Sequence, residues 1–156
     1  MNHEKYMRIA IEEARTGIET GQTPFGSCIV KDGEVISASH NHVWASTDIT
    51  AHAEIDAIRD ACKRLNTIDL SGCIIYSTCE PCPMCYSAIH WARISTIVYG
   101  ARIEDAEKGG FNEIPISNEQ LKELGEDNVE LIKDYLREEC TALFGEWKEG
   151  AKSRSY

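Results

Sequence analysis

The chain has 156 residues, with 26 acidic side chains against 16 basic ones and a formal net charge of −10. That length is one domain's worth of chain with a sizeable core, and the charge opposes binding to a phosphate backbone, which relies on lysine and arginine. The start, Met1-Asn2-His3-Glu4-Lys5, is polar with no apolar segment behind it, and no run approaches the length of a membrane span, so a cytoplasmic protein without membrane contact is expected. Seven cysteines at irregular spacing are unlike a secreted disulfide framework and suit a reducing compartment.

Met7, Ala10, Ile11, Ala14 and Ile18 recur at three- and four-residue spacing, which predicts an amphipathic helix over 3–20 that stops at Gly21. A loop carrying Pro24, Phe25 and Gly26 leads to a strand over 27–30, a tight turn at Asp32-Gly33 and a partner strand over 35–39. His40-Asn41-His42 then opens a loop through Asp48, the kind of place from which polar groups reach ligands. A second helix is expected over 50–65, with Ile55, Ile58, Ala61, Cys62 and Leu65 on one face.

Residues 73–77 read as a short apolar strand of the kind buried in a mixed sheet. A third helix carries Cys82, Cys85, Ala88, Ile89 and Ala92 along one side, and 96–99 is a fourth strand rich in β-branched and aromatic residues. Strand, helix and strand in that order imply a parallel pair with a right-handed crossover, which gathers strand ends and helix starts on one edge. An acidic loop over 104–115 follows, then a short helix over 118–125, a last strand over 129–132, a final helix over 135–147 and a polar tail ending in Tyr156. The sum is an α/β fold, a mixed five-stranded sheet between helices in a three-layer α/β/α sandwich.

The chemistry concentrates in Cys79-Glu80-Pro81-Cys82-Pro83-Met84-Cys85, read with His52-Ala53-Glu54 upstream. Two thiols a helical turn apart and one distant imidazole can hold zinc on three protein ligands and leave a fourth position for water. Glu54 separates a catalyst from a metal staple, because such a water needs a nearby group to carry its proton. The bland reading of Glu54 is a carboxylate favoured by a helix dipole. Pro81 and Pro83 mark a helix start, where proline costs no hydrogen bond, and the free amides there favour Cys82 as a thiolate.

The alternative pair, Cys79 with Cys82, has to bridge Glu80-Pro81 from a strand end to a helix and is the poorer geometry. Cys28, Cys62, Cys73 and Cys140 fall on apolar faces and read as buried small hydrophobes. Among the histidines, His3 reads as solvated, His40 and His42 as loop residues and His90 as a packing or pocket residue; His52 stands apart through its tie to Glu54. For Phe25 and Trp91, core packing and ligand contact weigh about equally.

His-x-Glu followed by Pro-Cys-x-x-Cys resembles the signature of the zinc nucleobase deaminases. Over nearly its full length the chain resembles the cytidine deaminase-like superfamily, and within it the bacterial guanine deaminases. The residues that carry this are Thr23-Pro24-Phe25-Gly26, Asn41, Thr50-Ala51-His52-Ala53-Glu54, the cysteine motif, Ile89-His90-Trp91-Ala92-Arg93, Gly110-Phe111 and Tyr156.

The resemblance implies one zinc ion per subunit on His52, Cys82 and Cys85, and hydrolysis of guanine to xanthine and ammonia by attack of zinc-activated water at C2. It implies that Glu54 carries the protons, that Glu113 assists near the amino group, and that Phe25, Asn41, Ala53, Trp91 and Tyr156 contact the base. Asn112 stands where the family pattern has a further acid beside Glu113. A homodimer is also implied, with segment 145–156 exchanged so that Tyr156 closes the partner's site and not its own. The competing readings are a deaminase of cytosine, guanosine, cytidine or ammeline, then a tRNA adenosine deaminase, which the acidic charge disfavours. Outside enzymes, the rival is a structural zinc module with Cys79 as a fourth ligand.

Overall fold

The computed structural model describes residues 2–156. Strands β1 (Gly26–Lys31), β2 (Glu34–His40), β3 (Ile74–Cys79), β4 (Thr96–Ala101) and β5 (Glu130–Ile132) form one sheet in the order β2-β1-β3-β4-β5. β1 is antiparallel to both neighbours, while β3, β4 and β5 run parallel. The helices are α1 (His3–Glu19), α2 (Val43–Ser46), α3 (Ala53–Leu65), α4 (Pro83–Trp91), α5 (Ile103–Lys108), α6 (Asn118–Leu124) and α7 (Arg137–Glu149).

Successive strand residues point to opposite faces, and the sequence supplies apolar side chains for both. Cys28, Val30, Tyr76 and Val98 join Met7 and Ile11 of α1 and Leu143 and Trp147 of α7 in one core. Ile29, Ile75, Ile97 and Tyr99 join Ala57 and Ala61 of α3 and Ile89 of α4 in the other. The mixed sheet between two helical layers is the architecture expected from the sequence. Gly26 lets α1 lie close to the sheet, since a Cβ there would stand 2.0 Å from the Ala10 carbonyl oxygen.

Two helices occupy stretches read as loop, α2 after His42 and α5 within 104–115. Both are built by local capping, which apolar periodicity does not register. Asn41 Oδ1 accepts the Val43 N–H at 3.0 Å, and Asp105 Oδ2 accepts the Arg102 N–H at 2.8 Å. α3 starts later than expected because Asp48 Oδ1 accepts the Thr50 N–H at 2.9 Å, a turn that leaves His52 as an extended N-cap. β3 and β4 each run two residues past their expected ends, where Cys79 pairs with Ala101.

α7 continues through Gly145 to Glu149 with Trp147 buried, so the expected boundary at 145 falls inside a helix and only 150–156 lie beyond it. His3, expected in solvent, is half-buried with its Nδ1 2.9 Å from the Tyr76 hydroxyl. Among the described residues no helix is long and apolar enough to cross a membrane.

Candidate active site

Two helix starts meet at the edge where the parallel strands end. Cys82 is the extended N-cap of α4, with Pro83 in the first turn where a missing N–H costs nothing. Cys85 lies one turn into the same helix, and His52 is the N-cap of α3. His52 Nδ1 lies 3.6 Å from Cys82 Sγ and 3.4 Å from Cys85 Sγ. Bonds of ~2.3 Å to sulfur and ~2.0 Å to nitrogen at tetrahedral angles place neighbouring ligand atoms roughly 3.5 Å apart. The triad therefore fits zinc on three corners of a tetrahedron.

A hydrogen bond from Cys85, reinforced by His52, holds the Cys82 thiol down at about 4 despite its burial. Burial pushes Cys85 well above the usual thiol range. Cys85 therefore has a proton to give up before it can ligate a metal as thiolate. Cys79 stays outside this arrangement. Its buried Sγ donates to the Arg102 carbonyl at 3.5 Å, and burial raises its pKa as well. Among the described residues the group able to hold a metal is His52, Cys82 and Cys85, so the structural module with Cys79 as fourth ligand is not what the chain builds.

Glu54 lies buried in the first turn of α3. Ser77 Oγ donates to its Oε1 at 2.8 Å, while Oε2 lies 3.6 Å from Cys85 Sγ. Burial raises the pKa of this carboxyl, and His52 opposes the rise. One buried carboxylate, Glu80, is fully engaged in structure. It accepts the Asn118 N–H at 2.8 Å and the Ile103 N–H at 3.2 Å, tying α5 and α6 to the loop that presents Cys82. Asn118 Nδ2 completes the tie by donating to the Pro81 carbonyl at 2.6 Å.

Phe25, Asn41, Glu54, Glu113 and Tyr156 line, with two of the triad, a chamber of about 20 Å³, room for one water. A recess of about 290 Å³ adjoins it, walled by Ile49, Met84, Phe111 and Ile114 and sharing His52, Cys82, Glu113 and Tyr156. Glu113 is raised to about 7, first by burial and then by the nearby Cys82 thiolate. Asn41 is wholly buried, and its Nδ2 donates to the Tyr156 hydroxyl at 2.6 Å. Phe25 meets Phe111 edge-on with ring centres 4.9 Å apart.

Two of the expected contacts do not line the chamber. Ala53 is fully buried at the start of α3 and does not line the chamber. Trp91 is 83% exposed and does not wall this chamber, because two residues past the buried Ile89 a helix has turned about 200°. Within the single chain Tyr156 lies at the site, with its ring centre 5.7 Å from that of His52. The tail is held by the Asn112 N–H on the Tyr156 carbonyl at 3.0 Å and by Trp44, whose ring lies 3.8 Å from the Arg154 guanidinium.

Sequence reading missed Ser77, Glu80 and Trp44. Ser77 carried a usable signal, a hydroxyl at the end of an otherwise apolar strand. Trp44 carried none, since its partner is 110 residues away.

Residues 1–101 match the cytidine and deoxycytidylate deaminase zinc-binding region. The guanine deaminase of Bacillus subtilis (strain 168) is 41% identical over 157 residues, spanning 100% of both chains. The tRNA-specific adenosine deaminase of Aquifex aeolicus (strain VF5) is 46% identical over 110 residues, 70% of this chain and 72% of the relative. The solved structure of guanine deaminase from Nitrosomonas europaea superposes with a TM-score of 0.85 at 30% identity, covering 92% of this chain and 83% of the other. With the zinc triad, the buried glutamate and these matches together, the chain belongs to the cytidine and deoxycytidylate deaminase family.

Proposed function

We propose that this chain is a zinc-dependent aminohydrolase that converts guanine and water to xanthine and ammonia. The observation that carries the reading is one chamber lined by metal-binding His52 and Cys82, two carboxyls with raised pKa values, Glu54 and Glu113, and the amide of Asn41. Over full-length alignments the identity to a guanine deaminase, 41%, exceeds the 36% to the tRNA-specific adenosine deaminase of Bacillus subtilis, which aligns with 96% of the chain, and this supports the choice of base. The net charge of −10 supports it too.

His52, Cys82 and Cys85 would hold the zinc ion, which when bound would supply Lewis acidity that lowers the pKa of a water toward neutral. The chain's residues do the rest. Ser77 anchors Glu54 Oε1, so the carboxyl keeps one orientation toward the triad. Its raised pKa suits it to take the water's proton and give it to a ring nitrogen as the oxygen bonds to C2, then to take the proton of the new C2 hydroxyl and pass it to the amino group, which leaves as ammonia when the C2–N bond breaks.

Asn41 spends Oδ1 on the Val43 N–H, which leaves Nδ2 to address an acceptor on the purine edge. Glu113 offers a second carboxyl to the N–H groups of guanine, and Phe25 offers an aromatic wall. A site built to pair these polar groups discriminates against rings that leave them unpaired. Tyr156 has to move for a base to bind, since the closed chamber holds about 20 Å³.

The test is ammonia release from guanine, guanosine, cytosine, cytidine, adenine, ammeline and tRNA, with Glu54→Gln as the blank. Guanine is expected to be the preferred substrate. Turnover of cytosine alone, or of tRNA alone, would sink the reading.

We further infer a homodimer in which the tail crosses to the neighbouring copy. The exposed apolar side chains Ile68, Trp91 and Leu124 support an interface, and the tail's seven residues after α7 supply the reach. A mixture of Tyr156-deleted chains with Glu54→Gln chains is then expected to recover activity, because a mixed dimer assembles one complete site. No recovery after subunit exchange argues for tails that stay at home.

A further inference from the structure

We propose that His42 and Asp56 are positioning residues, a brace that fixes the distance between the substrate-facing Asn41 and the helix start carrying His52 and Glu54. The inference rests on the function read above. Asn41 follows the last residue of β2, whereas Glu54 belongs to α3. Both have to address one base from separate elements, so whatever joins the loop after β2 to the start of α3 sets their spacing. The hydrogen bond of Asn41 to the base weakens steeply when its geometry is disturbed, so a shift of Asn41 relative to that helix start costs affinity for the base.

The chain ties these elements at two points one residue from Asn41. The His42 N–H donates to the Ala51 carbonyl at 3.0 Å. The His42 imidazole then reaches over the first turn of α3, with Nδ1 2.9 Å from Asp56 Oδ2. Asp56 is itself seated on the metal ligand's backbone, its N–H donating to the His52 carbonyl at 3.0 Å. On the other side of Asn41, the backbone N–H donates to the Phe25 carbonyl at 3.1 Å. His42 thus links the wall of the chamber to the helix that holds its chemistry, through side chains that do not line the chamber.

The surroundings keep this link in one geometry. The His40 ring stacks on that of His42 at 4.1 Å, and His40 Nδ1 lies 2.9 Å from the Asn41 carbonyl oxygen. Arg59 Nη1 donates to Asp56 Oδ1 at 3.0 Å, so each carboxylate oxygen of Asp56 has its own partner. Asp48, Asp60 and Lys63 line the same outer recess. The His42 side chain is 40% exposed, and neither residue belongs to the two hydrophobic cores, so the brace can be cut without opening a core cavity.

The test uses the zinc-loaded full chain with His42→Ala and Asp56→Ala, and His42→Asn and Asp56→Asn as conservative partners that retain a donor or an acceptor. In either alanine variant KM for guanine is expected to rise about tenfold, with kcat within about twofold and zinc content unchanged. The asparagine variants are expected to recover most of the affinity, and the double alanine variant to cost little more than either single one. Unchanged KM, a fall in kcat alone, or loss of zinc would each overturn the brace.

Amide hydrogen exchange gives a readout that needs no turnover. Protection of the Asn41 and His42 amides is expected to fall in His42→Ala. If the unaltered protein releases no ammonia from guanine, the functional reading fails, while reduced protection with zinc retained still upholds the brace. Unchanged protection rejects it in either case.

Discussion

The Ser77 hydroxyl donates to Glu54 Oε1 across 2.8 Å of buried space, joining the sheet to the carboxylate that the proposed chemistry needs. The bond orients Glu54 from the side away from the metal ligands. A buried charge-assisted bond of this kind contributes roughly 1.5–3 kcal/mol.

Ser77→Ala is accordingly expected to lower kcat on guanine about tenfold or more while zinc content and KM change little. Steady-state kinetics with a metal assay on the same samples checks this. Full activity in the variant would mean that Glu54 is oriented by other contacts.

Gly26→Ala tests the packing that brings α1 to the sheet. The added Cβ would meet the Ala10 carbonyl oxygen at 2.0 Å and the Ala14 nitrogen at 2.6 Å, both backbone atoms of a helix that cannot yield locally. A loss of about 3 kcal/mol in unfolding free energy is expected from urea titration. Stability equal to that of the unaltered chain contradicts the close approach.

Glu113 gives a pH dependence with a definite sign. Its pKa is about 7 in the folded chain against 4.5 ordinarily, chiefly because it is buried. A raised carboxyl holds its proton more tightly when folded, so between those two values the unfolded chain loses its proton first. Stability of the metal-free chain from this group therefore falls as pH rises from 4.5 to about 7 and is level above. The lowered pKa of Cys82, about 4, acts in the opposite sense, so the comparison has to be made against a variant. Urea midpoints at pH 5 and pH 7.5 are expected to differ less favourably at the higher pH in the unaltered chain than in Glu113→Gln. Parallel pH profiles for the two proteins would show that Glu113 is not held in a buried setting.

The sequence by itself determined the sheet, the helices that carry apolar stripes and the metal triad, because each is written in local periodicity or close spacing. Val98 and Ile97 alternate as a strand requires, and Cys82 and Cys85 are spaced by one helical turn. Even His52 was legible, since its neighbour Glu54 marks it out from the other histidines. The short helices α2 and α5 were not, because side-chain caps that build them, such as Asn41 on Val43, leave no apolar pattern.

Only the tertiary structure decided which aromatic residues reach the chamber. Trp91 and Tyr156 look equally available as side chains, yet the turn of α4 points one into solvent while the tail carries the other beside His52. The same holds for the ties from Ser77 to Glu54 and from His42 to Asp56. Partners on different elements meet through the packing of whole layers, and no spacing along the chain encodes that meeting.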